Sequence, residues 1–82
     1  MASKIISVDE GSPAARAGLA AGETLLQIDG IAIRDVLDYK FYSYDARLTL
    51  KVLGQDGETA REVGARKREG EPLGLNFEHY LM

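Results

Sequence analysis

Apolar and polar residues alternate along several short stretches of this sequence, and most of these stretches end at glycine, proline or aspartate. The clearest is Arg47 to Leu53, in which Leu48, Leu50 and Val52 fall on one face. Strict alternation is typical of a strand with one buried face and one face in water. Short runs rich in apolar or β-branched residues predict further strands at 4–8, 24–28, 31–33, 58–65 and 76–80. The chain is therefore predicted to be mainly β.

The segment from Gly11 to Glu23 contains the start, body and end of one very short helix. Ser12 is a favourable N-cap and Pro13 a favourable first helical residue. Alanines follow, and Gly18 is placed for a left-handed C-terminal cap. We therefore expect a helix of about one and a half turns between two strands, with a positive φ at Gly18.

Two turns are predicted from their dipeptides. Asp29-Gly30 has the type I′ preference and joins the strands 24–28 and 31–33 into a tight hairpin. Asp56-Gly57 reverses the chain between 47–53 and 58–65.

A second, longer helix is predicted from Asp35 to Tyr44. Asp35 suits the N-cap, with Asp38 three residues on as in a capping box. Leu37, Phe41 and Tyr44 recur at i, i+4 and i+7 and form one apolar face. This stripe is interpreted either as the wall of a binding groove or as ordinary core. The fold class is thus α+β, mainly β with two helices.

Composition narrows the function classes. A chain of 82 residues has room for a single domain, residues 1–82, with one modest core. The formal net charge of −3 gives no basic face for nucleic acid, and no cysteine is present to form a disulfide or a thiolate site. Asp9 and Glu10 precede any long apolar run, so neither a signal peptide nor a membrane span is predicted and we expect a cytoplasmic protein.

The order of strand, Gly-Ser-Pro-Ala, Ala-Gly-Leu, Gly-acid and a strand that ends in Ile28-Asp29-Gly30 resembles the PDZ domains common in bacterial proteins. Glu23 stands where those domains usually have Asp. The resemblance implies a partly open barrel of five to six short strands with one short and one longer helix. It also implies a module that binds a protein C-terminal tail, or a segment of its own polypeptide, by strand addition.

Such domains receive the ligand carboxylate on the amides of a Gly-Leu-Gly-Phe type loop, and the match here is Pro72-Leu73-Gly74-Leu75. Pro72 replaces the usual first glycine and has no N–H to donate, so only three amides remain. A loop that merely retains the fold is the alternative. The resemblance predicts these peptide-binding and carboxylate-binding residues: Leu73, Gly74, Leu75, Asn76, Phe77, Leu37, Phe41, Tyr44 and Arg68.

The loop lies near the C-terminal end of the chain rather than ahead of the short helix. If the match holds, the chain begins at what is usually the third strand and ends with what is usually the second. The resemblance therefore implies a circularly permuted domain, with the strand Asn76 to Tyr80 beside the longer helix.

No catalytic constellation or metal site is predicted. Ser12 has no His-acid pair to activate it, and the glycines form no nucleotide-binding fingerprint. His79 is the one histidine and has no partner ligand. The basic run that includes Arg68 is interleaved with acids, and a solvated surface is the alternative to a role in carboxylate attraction.

A narrower resemblance rests on Gly-Ser-Pro-Ala-Ala, on the run Asp35 to Tyr42, and on Leu73 to Glu78. Together they are similar to the N-terminal PDZ-like domain of radical-SAM iron–sulfur oxidoreductases. This resemblance implies a following catalytic core that holds a 4Fe–4S cluster and S-adenosylmethionine, with no residue of this chain binding either. The alternatives are a stand-alone peptide-binding adaptor and a structural cap that docks on the core.

Overall fold

The computed structural model describes residues 3–34 and 36–77. Over these residues the chain forms six strands and two helices in this order: β1 (Ser3–Val8), α1 (Pro13–Arg16), β2 (Thr24–Ile28), β3 (Ile31–Ala32), α2 (Val36–Tyr42), β4 (Arg47–Leu53), β5 (Ala60–Arg66) and β6 (Leu75–Phe77). The mainly β fold class with one short and one longer helix is confirmed, and it is consistent with a PDZ-like α+β fold.

The strands form one antiparallel sheet in the order β5-β4-β2-β1-β6, with β3 paired to β2 beside this path. The β4–β5 ladder extends from the Arg47–Arg66 pair to the Leu53–Ala60 pair. At the other side of the sheet β6 pairs with β1 through Ile5–Phe77 and Val8–Leu75. The first and last described strands are therefore neighbours.

One apolar core lies between the sheet and the two helices. The inward residues of β2 and β4 are fully buried, as are Ile5 of β1 and Leu73 before β6. Tyr39 of α2 and Phe77 of β6 meet edge to face, with ring centroids 4.8 Å apart. Because α2 contacts β6 through this ring pair, β6 completes the core on this side.

The short helix α1 has the predicted caps. The Ser12 Oγ accepts a hydrogen bond from the Ala15 N–H at 3.2 Å. At the other end the Leu19 N–H donates to the Ala14 carbonyl and the Gly18 N–H to the Ala15 carbonyl, both at 3.1 Å. This pattern is a Schellman motif. Gly18 has φ 89°, which confirms the predicted left-handed cap.

The other elements differ from the prediction mainly at their ends. Asp29 and Gly30 have φ 52° and 82°, as the predicted type I′ turn requires. The second helix ends at Tyr42, one half-turn before the predicted end at Tyr44. The predicted N-cap Asp35, and the predicted strand residues 78–80, lie outside the described residues. Within residues 3–34 and 36–77, no helix is long and apolar enough to cross a membrane.

Candidate functional site

A cleft of about 350 Å³ lies between the second half of α2 and residues 70–76. Leu73 and Leu75 contribute apolar surface from the chain before and within β6. Tyr39, Lys40 and Ser43 face them from the helix side. The described part of β6 pairs with β1 on one edge, and its other edge borders this cleft.

The loop that leads into β6 is held to the body of the domain through its carbonyl groups. The Leu73 carbonyl accepts from the Ala14 N–H of α1 at 2.9 Å, and the Gly74 carbonyl accepts from the Asp9 N–H at 2.8 Å. Gly74 is buried and has φ 96°. A Cβ built on Gly74 would collide with the Ser12 side chain. The backbone conformation and the close approach to Ser12 both therefore require glycine here.

The amide groups of this loop belong to residues that line the cleft. The N–H groups of Leu73 and Gly74 meet no acceptor among the described residues. The Leu75 N–H points to the Tyr39 hydroxyl, at a long 3.4 Å. Successive amides around a positive-φ glycine form a concave donor surface that suits an anion.

Tyr39 positions α2 against this loop. Its ring is buried against Phe77, and its hydroxyl lies 3.4 Å from the Leu75 amide nitrogen. A buried tyrosine is favourable when its hydroxyl has a polar partner, which explains why this residue faces inward. The cleft floor is consequently set by an aromatic residue that also touches the candidate donor loop.

Lys67 fixes the chain where it enters the loop. Its Nζ donates to the Tyr44 carbonyl at 3.0 Å and to the Arg68 carbonyl at 3.3 Å. Burial of this ammonium group lowers the pKa of Lys67, and the nearby carboxylates of Glu71, Asp45 and Glu69 partly oppose the shift. The side chain thereby ties residues 67–68 to the segment that follows α2.

The helix residues predicted to form the cleft wall are only partly brought there. Tyr44 lines the cleft, with its ring over Gly70. Leu37 and Phe41 do not line it, and they are 66% and 74% exposed. Phe41 instead borders a separate depression beside Ile31. The predicted stripe is therefore displaced around the helix from the face that borders the cleft.

The predicted residues near the end of the chain have different positions. Leu73, Gly74, Leu75 and Asn76 all line the cleft. The Asn76 Nδ2 donates to the Asp9 Oδ1 at 2.8 Å, which joins β6 to the end of β1. Phe77 is buried in the core.

Arg68 is exposed and lies outside the cleft lining. Its main-chain N–H donates to the Glu71 Oε1 at 2.8 Å, and the Glu71 N–H donates to the Arg68 carbonyl at 2.9 Å. These two bonds close a turn ahead of the cleft. The structure therefore places the Arg68 main chain in a supporting turn rather than at the amides of the loop.

Sequence reasoning missed Tyr39, Lys40 and Ser43 as cleft residues. Lys40 and Ser43 are spaced by three, as expected for one helix face, but they are polar and so do not form an apolar stripe. Shifting the predicted stripe by one position would have found both. Lys40 also brings a positive charge to the cleft, where the acidic side chains of Asp9 and Glu71 oppose it.

The described residues contain no group of three or more His, Cys, Asp or Glu side chains that could hold a metal ion. The groups that line the cleft are main-chain donors, apolar side chains, one lysine (Lys40), two acidic residues (Asp9 and Glu71) and the neutral polar side chains of Ser43 and Asn76.

Two comparisons with known proteins bear on this arrangement. No curated protein matches the sequence. The family model for the PDZ domain matches residues 4–54, which is more than half of the 82 residues and extends from β1 to the end of β4. The chain therefore belongs to the PDZ domain family.

Proposed function

We propose that this domain is a non-catalytic module that binds an extended protein segment by strand addition to β6. PDZ domains are in general peptide-binding modules, and strand addition obtains its affinity from main-chain hydrogen bonds. The observation that carries the proposal is the edge of β6 that borders the cleft, next to the amides of Leu73, Gly74 and Leu75. In this proposal a terminal carboxylate is received by those amides.

The cleft chemistry indicates the ligand. Leu73, Leu75 and Tyr39 would accept an apolar terminal side chain, and Lys40 would favour an acidic residue beside it, against the repulsion of the lining residues Asp9 and Glu71. A carboxylate would also replace the Tyr39 hydroxyl as acceptor for the Leu75 N–H, because that existing contact is long. We therefore expect tails that end in an apolar residue, with an acid upstream.

The test is an NMR titration with a library of peptides that have free apolar C-termini. Binding should shift the amide resonances of Leu73, Gly74 and Leu75, and the same peptides with amidated C-termini should bind far more weakly. Lys40→Ala should weaken binding, whereas Phe41→Ala, one position along α2 and outside the cleft, should not. Equal losses in both variants would place the ligand on another face of α2.

We further propose that the domain is a circularly permuted PDZ domain. The order of the elements supports this: the short helix follows the first strand, and the candidate carboxylate loop comes between the last two strands. The family match ends at residue 54, before β5, the loop and β6. These later elements would then be equivalent to the strands and loop that usually begin the fold.

On the sequence resemblance alone we also propose a cytoplasmic accessory role beside a radical-SAM core that would bind the 4Fe–4S cluster and S-adenosylmethionine. The sequence of the full natural polypeptide tests this directly, since such a core carries three clustered cysteines. If that core is present, deletion of this domain would distinguish a binding module from a structural cap. If the domain is a structural cap, its deletion should change the stability of the core, and no peptide should compete for the cleft.

A further inference from the structure

A second cleft, of about 460 Å³, lies between α1, the first residues of β4 and the last residues of β5. Three arginines line it: Arg16 from α1, Arg47 from β4 and Arg66 from β5. Leu48 and Ala65 are among its apolar lining residues, and no acidic residue lines it. This arginine cleft shares no lining residue with the cleft beside β6.

Two of the arginines are direct cross-strand partners. Arg47 pairs with Arg66 in the β4–β5 ladder, so their side chains leave the sheet side by side. Like charges in this position repel each other. Within the described segments, the two salt bridges that form engage other residues, and neither Arg47 nor Arg66 has a carboxylate partner. Sheet stability therefore does not explain the pair, whereas a bound anion would relieve its repulsion.

The third arginine, Arg16, is held by a hydrogen bond to the main chain. One Arg16 nitrogen, Nη1, donates to the Gly11 carbonyl at 2.8 Å, and the guanidinium group retains further donors. Gly64, on β5, leaves the cleft open, because a Cβ there would meet no atom within 4 Å. The cleft thus combines one anchored guanidinium and two further arginines with open space beside Gly64.

We propose that the arginine cleft binds an acidic segment of a partner protein. Its carboxylates would bridge Arg47 and Arg66, the exposed residues of this cross-strand pair. Planar guanidinium groups match carboxylates in a bidentate geometry. The volume and the apolar lining exceed what a single small anion needs, and the net charge of −3 disfavours a nucleic acid. This site is independent of the strand-addition proposal.

The test uses the 82-residue chain and a short labelled peptide of alternating Glu and Leu with both termini blocked. Blocking removes the terminal carboxylate, so the loop before β6 has no such group to receive and binding there is weakened. Fluorescence anisotropy should show saturable binding that weakens with added salt. The same peptide with Gln in place of Glu should not bind.

Arg47→Gln should weaken binding by about tenfold, which is the loss expected for one charge-assisted hydrogen bond. Lys51→Gln is the matched control. Lys51 lies on the same strand and its substitution removes the same charge, but Lys51 does not line the cleft. Gly64→Val should also weaken binding, by filling the cleft with no change in charge. Unfolding curves of each variant establish that it folds.

Equal weakening by Arg47→Gln and Lys51→Gln would overturn the proposal, because it would indicate attraction to overall charge. Binding of inorganic phosphate or of a single-stranded oligonucleotide with the same dependence on Arg47, without binding of the Glu peptide, would overturn it as well. Self-association of the chain that depends on Arg47, without peptide binding, would also overturn the proposal, because the occupant of the cleft would then be a second copy of this chain.

Discussion

Two glycines with similar backbone geometry differ in what a side chain would meet. Gly18 has φ 89° and a Cβ there would have open space, so only the left-handed conformation opposes substitution. We expect Gly18→Ala to destabilise the domain by about 1 kcal/mol, measured by urea unfolding. Gly64→Ala is the control, because its site is equally open and has no positive φ. Equal stability of the parent and the Gly18 variant would contradict this account.

Gly74 combines positive φ with the contact to Ser12, so Gly74→Ala should cost about 3 kcal/mol, well above the Gly18 variant. Replacing Ser12 with Gly removes the obstructing side chain and, as an N-cap change, costs only a few tenths of a kcal/mol. The double variant should therefore recover part of the loss. A double-mutant cycle with no coupling between the two positions would show that the collision does not determine the effect.

The sequence could predict the conformation of Gly18, because the helix before it, the cap and Leu19 are all local. It could not predict the contact between Gly74 and Ser12, which are far apart in the chain and meet only because α1 packs on the loop before β6. Nor could it predict that the Tyr39 hydroxyl faces the Leu75 amide. The candidate site therefore depends more on long-range contacts than the individual helices and strands do.

At the scale of elements, Glu23 joins the segment that follows α1 to β5. Its side chain is 8% exposed, accepts from the Ala20 N–H at 2.9 Å, and accepts from the Arg61 Nη2 at 2.9 and 3.2 Å. The same Nη2 donates to the Gly18 carbonyl at 3.0 Å. A nearly buried carboxylate is favourable only while such partners remain.

Arg61→Ala should therefore destabilise the domain by about 2 kcal/mol, because Glu23 would lose its charged partner. Arg34→Ala is the matched control. Arg34 forms an exposed pair with Asp38 at 3.7 Å, and such pairs contribute about 0 to 1 kcal/mol. Chemical unfolding of both variants measures the difference. Similar small losses would show that solvent screens the Glu23 pair as well.

The β4–β5 turn should make stability depend on acid pH. The Asp56 carboxylate accepts from the main-chain N–H groups of Glu58 and Thr59 at 2.9 and 3.1 Å, and from the Thr59 hydroxyl at 3.0 Å. These bonds, the one from Glu58 first, hold the pKa of Asp56 below its ordinary 3.8. A lowered pKa in the folded state means that the contribution is present above 3.8 and is lost as pH falls through the folded value.

Asp56→Ala should accordingly be less stable than the parent at neutral pH, and the difference should shrink as the pH falls below 3.8. Urea unfolding at both pH values measures it. Asp56→Asn keeps one acceptor oxygen but takes up no proton, so its stability should change less with acid than that of the parent. A difference between Asp56→Ala and the parent that is independent of pH would contradict this role.

For the Arg47–Arg66 pair we expect substitution to raise the stability of the domain, whereas the substitutions above lower it. Because Arg47 and Arg66 are like-charged cross-strand partners, Arg66→Thr should raise the unfolding free energy by a few tenths of a kcal/mol at low salt, and less at high salt. Thermal unfolding at two salt concentrations tests this. Destabilisation by Arg66→Thr would show that the arginine stabilises the sheet after all.

Most elements could be predicted because their information is local. The alternation of Arg47 to Leu53 matches β4 to the residue, and the Asp29-Gly30 turn follows from its dipeptide. The face of α2 could not be predicted in this way, because the more apolar stripe, with Leu37 and Phe41, stays in solvent. The inward face is instead determined by the packing of Tyr39 on Phe77, a strand residue far along the chain.

At the scale of the whole molecule, the candidate cleft is built from distant parts of the chain. Asp9 follows the first strand, α2 lies near the middle of the sequence, and residues 70–76 precede or begin the last strand. The domain closes where β6 pairs with β1, so the cleft can form only when the two end strands have met. Formation of the cleft therefore depends on the pairing of β1 with β6.

This closure allows a test of the permutation proposal. Ile5 pairs with Phe77, so the start of β1 and the end of β6 lie next to each other, and a flexible linker inserted between residues 82 and 1 would connect them. New ends can be opened at Gly57, in the exposed turn between β4 and β5. The rejoined chain would begin with β5, continue through the loop and β6 into β1, and end with β4.

If the domain is a permuted PDZ domain, this order restores the usual one, and every strand pair of the sheet can still form. We expect a folded protein that loses about 1–2 kcal/mol through the opened turn and that binds the same C-terminal peptides as the parent. Unfolding curves and the amide shifts of Leu73 to Leu75 are the measurements. A rejoined chain that stays unfolded, while a chain with the same linker and an intact Gly57 turn folds, would show that the observed order of strands is itself required.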